Sequence, residues 1–106
     1  MTKHVVIGGG SWGSAIASSL QRAQQPVTIL ARSQQTVDML AQGRCKELPN
    51  CAPIAPINAT TNQLCLIDAK VIFVAVPTQA NKDSFSIIST QQNRAHKAII
   101  ALCAKG

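Results

Sequence analysis

The sequence predicts an α/β fold with a doubly wound, mainly parallel sheet of about five strands, and three observations support this prediction. Short aliphatic runs alternate with segments in which apolar residues recur at helical spacing. One run, Lys70–Val76, is apolar almost throughout, which is typical of a central parallel strand covered on both faces. A glycine cluster, Gly8–Gly13, joins the first run to the first helical segment.

The composition is that of one small domain with an aliphatic core. Of the 106 residues, 46% are hydrophobic, but the chain has only one Trp and two Phe. No apolar run approaches the roughly 20 residues of a membrane span, and no signal-peptide core is present, so we expect a cytoplasmic protein without membrane contact. The cysteines show neither C-x-x-C pairs nor zinc spacing, so no disulfide framework and no metal site is expected. They are Cys45, Cys51, Cys65 and Cys103.

The charge pattern favours an anionic small ligand over nucleic acid. The net charge is +6, but the ten basic residues are scattered singly between Lys3 and Lys105. Surfaces that bind nucleic acid cluster their basic residues on one face or along one helix. We therefore expect no nucleic-acid partner.

The glycine cluster has the spacing G-x-G-x-x-G and directly follows the apolar run His4–Ile7. Between a strand and a helix, this spacing is the fingerprint of Rossmann-type, dinucleotide-binding folds. We expect Gly8 to allow a tight turn, Gly10 to admit a pyrophosphate against the backbone, and Gly13 to pack the helix closely. The N–H groups and the dipole of the helix start would face the phosphates. The alternative is a glycine-rich loop that only begins a helix.

The next elements lead to the adenosine end of such a ligand. A helix is predicted over Ser11–Gln24, ending before Pro26, and a strand over Val27–Ala31. In this fold an acidic residue near that strand end takes the ribose of NAD, whereas an arginine accommodates the 2′-phosphate of NADP. Here Arg32 follows the strand, and no acidic residue precedes Asp38. We therefore expect a preference for NADP(H), with NAD(H) possible; the alternative is a solvated arginine. The apolar face of the helix is predicted to comprise Ile16, Ala17, Leu20 and Ala23.

The middle of the chain is predicted to contain short elements, because prolines interrupt it and cap residues recur. The predicted elements are a helix over Thr36–Gln42 with Gly43 at its C-cap, a loop over Arg44–Pro56, a strand over Ile57–Thr60, and a helical turn through Asp68 that Thr61 and Asn62 cap.

The apolar run Lys70–Val76 is the strongest predicted strand, and Pro77 ends it. Ligands of open α/β sheets bind at the carboxyl ends of such strands, so we expect Pro77 beside the glycine cluster. A helix over Ala80–Gln91 and a last strand over Ala98–Cys103 follow. Lys105 again comes just after a strand end.

These elements correspond to the first half of a dinucleotide-binding fold plus two strands of its second half. We therefore expect residues 1–106 to be one N-terminal cofactor-binding domain, and the C-terminal substrate domain to be absent from this sequence. The last strand would then have an uncovered outer edge, which favours a homodimer.

Five segments resemble, in order and spacing, the N-terminal domain of bacterial NAD(P)-dependent glycerol-3-phosphate dehydrogenases. They are GGGSWG with Ser14-Ala15, Leu48-Pro49, Ala59–Asn62, Val74–Gln79 and Ala104–Gly106. The resemblance covers essentially the whole of this chain. This chain corresponds to only about the first third of a family member. Its most specific part is Ser11-Trp12, because related dehydrogenases share the glycines without this pair.

The resemblance implies roles for individual residues. Ser11 and Trp12 would contact the cofactor, Arg32 would lie at its adenosine end, and Lys105 would contact both cofactor and substrate. For Trp12, a core position in the first helix is the competing hypothesis. The sequence departs from the family at Ser33, where a second basic residue is common, and at Cys103-Ala104, where Ser or Thr is usual.

The resemblance also implies an activity. The parent enzyme would transfer hydride between NAD(P)H and C2 of its substrate, interconverting dihydroxyacetone phosphate and sn-glycerol 3-phosphate for phospholipid synthesis. The catalytic lysine of the family lies beyond this sequence, so we expect no catalytic residue here and no turnover by the 106-residue chain. One alternative is another two-domain dehydrogenase, similar to ketopantoate reductase or a nucleotide-sugar enzyme. The other is a non-enzymatic module that senses nucleotides.

Overall fold

The computed structural model describes residues 3–43, 56–67, 69–76, 81–91 and 99–102. Strands and helices alternate along the chain, as predicted. In order, they are β1 (His4–Ile7), α1 (Ser11–Arg22), β2 (Val27–Leu30), α2 (Gln34–Ala41), β3 (Ala59–Thr60), a 3₁₀ helix (Gln63–Leu66), β4 (Val71–Val74), α3 (Asn81–Gln91) and β5 (Ile99–Leu102).

The five strands form one parallel sheet in the order β3-β2-β1-β4-β5. In β1, Ile7 pairs with Leu30 of β2 on one side and with Val74 of β4 on the other, so the three strands end level. This order is that of the doubly wound dinucleotide-binding fold, and it confirms the predicted fold class. The middle position belongs to β1, whereas β4 is an inner strand next to it.

Hydrophobic clusters cover both faces of the sheet, because alternate residues of each strand point to opposite sides. On one face, Val6 of β1 packs in a cluster with Ala17 of α1 and Leu40 of α2. On the other face, Val5 packs in a cluster with Ile88 of α3 and with the 3₁₀ helix. None of the helices in the described segments is long and apolar enough to cross a membrane.

The end of α1 differs from the prediction. The helix ends at Arg22 instead of Gln24, and Ala23 is exposed and does not contribute to the apolar face. Gln24 adopts a left-handed conformation with φ of 60°. The amide of Gln25 donates to the Leu20 carbonyl at 3.0 Å, so the chain closes the helix before Pro26 is reached.

Other boundaries differ by one to three residues, because hydrogen bonding rather than hydrophobicity sets them. α2 begins at Gln34 instead of Thr36, since Ser33 caps it. The C-cap residue of α2 is Gln42 instead of Gly43, and Gly43 follows it with φ of 76°, the left-handed conformation that glycine often adopts just after a helix. The predicted helical turn through Asp68 is the shorter 3₁₀ helix, and the side chain of Asn62 caps it.

β3 and β4 are shorter than the apolar runs that predicted them. The structure has Ala59–Thr60 for Ile57–Thr60 and Val71–Val74 for Lys70–Val76. β5 comprises Ile99–Leu102, and Ala98 and Cys103, the predicted ends of this strand, lie outside the described residues. α3 comprises Asn81–Gln91, and Ala80, where it was predicted to begin, lies outside the described residues. Most of the predicted loop Arg44–Pro56, including Cys45 and Cys51, lies outside the described residues too.

Candidate functional site

The candidate site is the glycine turn, Gly8–Gly13, which joins β1 to α1. The amide of Gly8 donates to the Leu30 carbonyl of β2 at 3.0 Å. On the other side, the amide of Ala75, just after β4, donates to the Ile7 carbonyl at 2.9 Å. The turn therefore lies between the carboxyl ends of β2 and β4. Here the strand order reverses, and ligands of doubly wound sheets bind at this point.

The first and last glycines of the turn are required by backbone contacts. Gly8 has φ of +118°, which L side chains rarely adopt, and a Cβ there would overlap the Ala75 carbonyl oxygen. A Cβ on Gly13 would overlap the Gly8 carbonyl oxygen and would lie 3.4 Å from Cγ1 of Val6. Gly8 thus allows the tight turn between neighbouring strands, and Gly13 lets α1 start directly against it.

Gly10 is the N-cap residue of α1. Its backbone is extended (φ −77°, ψ −168°), and its carbonyl accepts the first helical hydrogen bond, from the Ser14 amide at 2.9 Å. The N–H groups of the first helical turn have no acceptor within the helix, and they carry the positive end of its dipole. No acidic residue lies in that first turn. These features fit an anionic group such as a phosphate.

Two residues that the sequence analysis did not assign to the site hold the turn in place. A Cβ on Gly9 would lie 2.6 Å from Cγ2 of Thr36, so the first turn of α2 packs directly on the glycine turn. Ser14 is buried, with 3% of its surface exposed, and its hydroxyl donates to the Gly9 carbonyl at 3.4 Å. The sequence contained one indication that Ser14 is buried: it lies three residues before Ala17, so the two residues share the apolar face of α1.

The end of β2 carries an exposed cation. Arg32 is exposed and directly follows Ala31. A Cβ built on Gly9 would lie 3.5 Å from the Cβ of Ala31, so this strand end is close to the glycine turn. Next along the chain, Ser33 caps α2 by accepting from the Thr36 amide at 3.3 Å. The first turn of α2 contains no acidic residue. The first turn of α2 therefore places the positive end of its dipole beside the glycine turn, and Arg32 adds a cation at the end of β2.

The other expected site residues are placed only in part. Trp12 lies in the first turn of α1 and is 46% exposed, which argues against the hypothesis that it is a core residue. The backbone of Ser11 begins α1. Pro77 and Lys105 lie outside the described residues. Within the described segments, no three His, Cys, Asp or Glu side chains form a group that could hold a metal ion.

Comparison with known proteins gives one consistent family. A family model described as the N-terminus of NAD-dependent glycerol-3-phosphate dehydrogenase matches residues 3–106. A glycerol-3-phosphate dehydrogenase (NAD(P)+) of Neorickettsia sennetsu is 38% identical over 104 residues, which are 96% of this chain and 30% of that protein. The chain thus spans about a third of the length of the curated relatives that it matches.

Solved structures show the same relationship. The crystal structure of a glycerol-3-phosphate dehydrogenase from Coxiella burnetii matches 99% of this chain with a TM-score of 0.78 and 28% identity. The match covers 33% of that enzyme. A ketopantoate reductase from Ralstonia eutropha has a TM-score of 0.68 at 18% identity, covering 92% of this chain and 32% of the reductase. At that identity the likeness shows a common fold and nothing more.

Proposed function

Because the chain belongs to the NAD-dependent glycerol-3-phosphate dehydrogenase family and corresponds to its N-terminal domain, we propose that it binds the cofactor NAD(P)(H) at the glycine turn. The observation that carries this proposal is the geometry of the turn. Gly8 and Gly13 allow it to fit closely between two strand ends, and the amides of α1 follow at once. This arrangement exposes backbone donors to a diphosphate.

Each part of the turn has a role in holding the cofactor. The backbone amides from Gly10 to Gly13 bind the diphosphate, and the dipole of α1 stabilises its negative charge. Gly10 has no Cβ, so the diphosphate can approach its backbone closely. Ser11 adds a hydroxyl, and the exposed Trp12 contacts the bound cofactor. When bound, the nicotinamide supplies the hydride donor or acceptor of the reaction.

We propose that NADP(H) binds more tightly than NAD(H). Arg32 is exposed at the end of β2, and a guanidinium forms charge-assisted, two-pronged hydrogen bonds with phosphate. Asp38 is the first acidic residue of the chain, and it lies one turn into α2, where its carboxylate accepts from the Gln34 amide group at 3.0 Å. A carboxylate is therefore not positioned directly after β2 to repel the 2′-phosphate.

Calorimetric titration of the 106-residue chain with NADPH and NADH tests both proposals. We expect Arg32→Ala to weaken NADPH binding about 10- to 100-fold and NADH binding less than about threefold. Arg22→Ala is the matched control, because Arg22 is an exposed arginine at the opposite end of α1. Absence of binding to either dinucleotide would contradict the cofactor site. If the chain binds NADH more tightly than NADPH, and Arg32→Ala does not change the NADH affinity, only the proposed preference for NADP(H) is contradicted.

The whole enzyme is proposed to interconvert sn-glycerol 3-phosphate and dihydroxyacetone phosphate in the cytoplasm. β5 is parallel to β4, so its carboxyl end at Leu102 lies at the edge of the sheet that holds the glycine turn. Lys105 follows three residues later, and an ammonium group there suits an anionic substrate beside the nicotinamide. Pro77, which follows β4 closely, would contact the cofactor at the same edge. In the whole enzyme, Lys105→Met should lower the affinity for glycerol 3-phosphate in the presence of NADPH. Unchanged affinity would contradict the role of Lys105 in substrate binding.

We also propose that the edge of β5 associates with a second copy of the chain. β5 pairs with β4 on one side and lies at the end of the described sheet. The side chain of Ile99 is 69% exposed, and Ile100 is exposed as well. Exposed edge strands with apolar side chains favour pairing with another strand.

A further inference from the structure

Ser14 is a buried polar residue whose hydroxyl reaches back to the glycine turn. It lies in the first turn of α1, and 3% of its surface is exposed. Its Oγ donates to the carbonyl oxygen of Gly9, five residues earlier, at a distance of 3.4 Å. Its amide donates to the carbonyl of Gly10 at 2.9 Å. Ser14 thus contacts two consecutive peptide groups of the turn.

The contact with Gly9 sets the direction of the next amide. A trans peptide group is planar, so the Gly9 carbonyl and the Gly10 N–H point in opposite directions. The structure has no cis peptide bond in its described residues. Because the Ser14 hydroxyl binds the Gly9 carbonyl, the N–H of Gly10 in the same peptide group points away from the Ser14 side chain.

A second contact limits rotation of the same peptide group. Gly9 packs against Thr36, whose Cγ2 would be 2.6 Å from a Cβ on Gly9. The hydroxyl of Thr36 is itself held by the Ser33 hydroxyl at 3.0 Å, which fixes the direction of the methyl group. The Gly9–Gly10 peptide group is therefore restrained by Ser14 on its carbonyl side and by Thr36 at the Gly9 Cα.

We infer that Ser14 is a positioning residue for the cofactor, because it orients the Gly10 N–H as the first donor to the diphosphate. This inference rests on the proposed dinucleotide site. Ser14 does not itself touch the ligand. Its hydroxyl pre-orients a backbone donor, so the ligand does not have to rotate the peptide group on binding.

The test uses the 106-residue chain and ADP-ribose, which contains the diphosphate but not the nicotinamide. We expect Ser14→Ala to weaken ADP-ribose binding about 3- to 10-fold in calorimetry, the range expected for loss of one neutral hydrogen bond. Ser14→Thr, which retains the hydroxyl, should bind within about twofold of the wild type. Ser19→Ala is the matched control, because Ser19 is an exposed serine of the same helix. If Ser14→Ala does not fold, Ser14→Cys, whose thiol is a weak donor of similar size, is expected to show the same loss.

A second readout separates positioning from a structural role. In Ser14→Ala the carbonyl ¹³C resonance of Gly9 and the amide resonance of Gly10 should shift, while Ser14→Thr and Ser19→Ala should leave both near their wild-type positions. If the wild type binds ADP-ribose and Ser14→Ala or Ser14→Cys binds it equally tightly, the role of Ser14 is overturned but the dinucleotide site is not. Equally weak binding by Ser14→Thr and Ser14→Ala would also overturn it. Failure of the wild type to bind ADP-ribose would overturn the dinucleotide site together with this inference.

Discussion

Gly9 and Thr36 lie in direct contact, and the Thr36 methyl group occupies the space that a side chain on Gly9 would need. A Cβ on Gly9 would be 2.6 Å from Cγ2 of Thr36. The methyl group cannot easily turn away, because the Ser33 hydroxyl holds the Thr36 hydroxyl at 3.0 Å. The middle glycine of the GGG sequence is therefore required by the packing of α2 on the turn.

This contact predicts a compensating pair of substitutions. Gly9→Ala should lower the free energy of unfolding by about 1–3 kcal/mol, because the new Cβ overlaps the threonine methyl. Thr36→Ser removes that methyl but retains the hydroxyl that bonds to Ser33. Urea denaturation of the double variant Gly9→Ala/Thr36→Ser should thus recover most of the loss. A double variant whose loss equals the sum of the two single losses would show that the contact is not responsible.

The three glycines of the fingerprint should differ in what their substitution impairs. Gly8→Ala and Gly13→Ala place a Cβ against backbone oxygens, so each should destabilise the fold by more than about 3 kcal/mol. Gly10 has a backbone conformation that alanine also adopts. Gly10→Ala should therefore change stability by less than about 1 kcal/mol and weaken dinucleotide binding about tenfold or more. Thermal unfolding and calorimetry measure the two effects separately, and unchanged affinity of Gly10→Ala would contradict its role.

Ser33 allows the cap of α2 to be separated from cofactor preference. Ser33→Ala removes the acceptor for the Thr36 amide and should cost about 1 kcal/mol of stability. Ser33→Asp should keep the cap, since aspartate is a good N-cap residue and complements the helix dipole. Its charge should nevertheless repel the 2′-phosphate, so the affinity ratio of NADPH to NADH should fall at least about tenfold. If Ser33→Asp leaves the affinity ratio of NADPH to NADH unchanged, the 2′-phosphate does not bind at the end of β2.

The exposed edge of β5 predicts concentration-dependent association. Ile99→Lys introduces a charge at a side chain that is 69% exposed, and charged residues on edge strands oppose pairing with a second chain. Light scattering of the wild type should show a dimer at high protein concentration, and Ile99→Lys should shift it towards monomer. Ser19→Lys, which adds the same charge on the exposed face of α1, is the control. A wild type that stays monomeric at high concentration would contradict this proposal.

The topology could be predicted from the sequence because apolar periodicity and the glycine spacing are properties of short segments. The parallel sheet follows from alternation of strands and helices, and the turn at Gly8 follows from a residue that tolerates φ of +118°. The exact helix ends were less predictable. Gln24 closes α1 in a left-handed conformation that glutamine rarely adopts, so nothing in the sequence indicated that α1 ends at Arg22.

The supporting contacts of the site could not be predicted, because they depend on how separate elements pack. Gly9 and Thr36 are 27 positions apart in the sequence numbering, and only the docking of α2 brings them together. Ser14 is a small polar residue in a helix, and its role depends on the direction of the Gly9 carbonyl. The positions of Arg32 and Gly10 were predictable, since each lies directly at the end of a strand or the start of a helix.

A crystal structure of the chain with NADPH examines the proposed cofactor site itself. We expect the diphosphate oxygens to lie about 3 Å from backbone nitrogens between Gly10 and Gly13, with the guanidinium of Arg32 on the 2′-phosphate. NADPH bound elsewhere on the chain, with the side chain of Trp12 covering the glycine turn, would contradict the proposal.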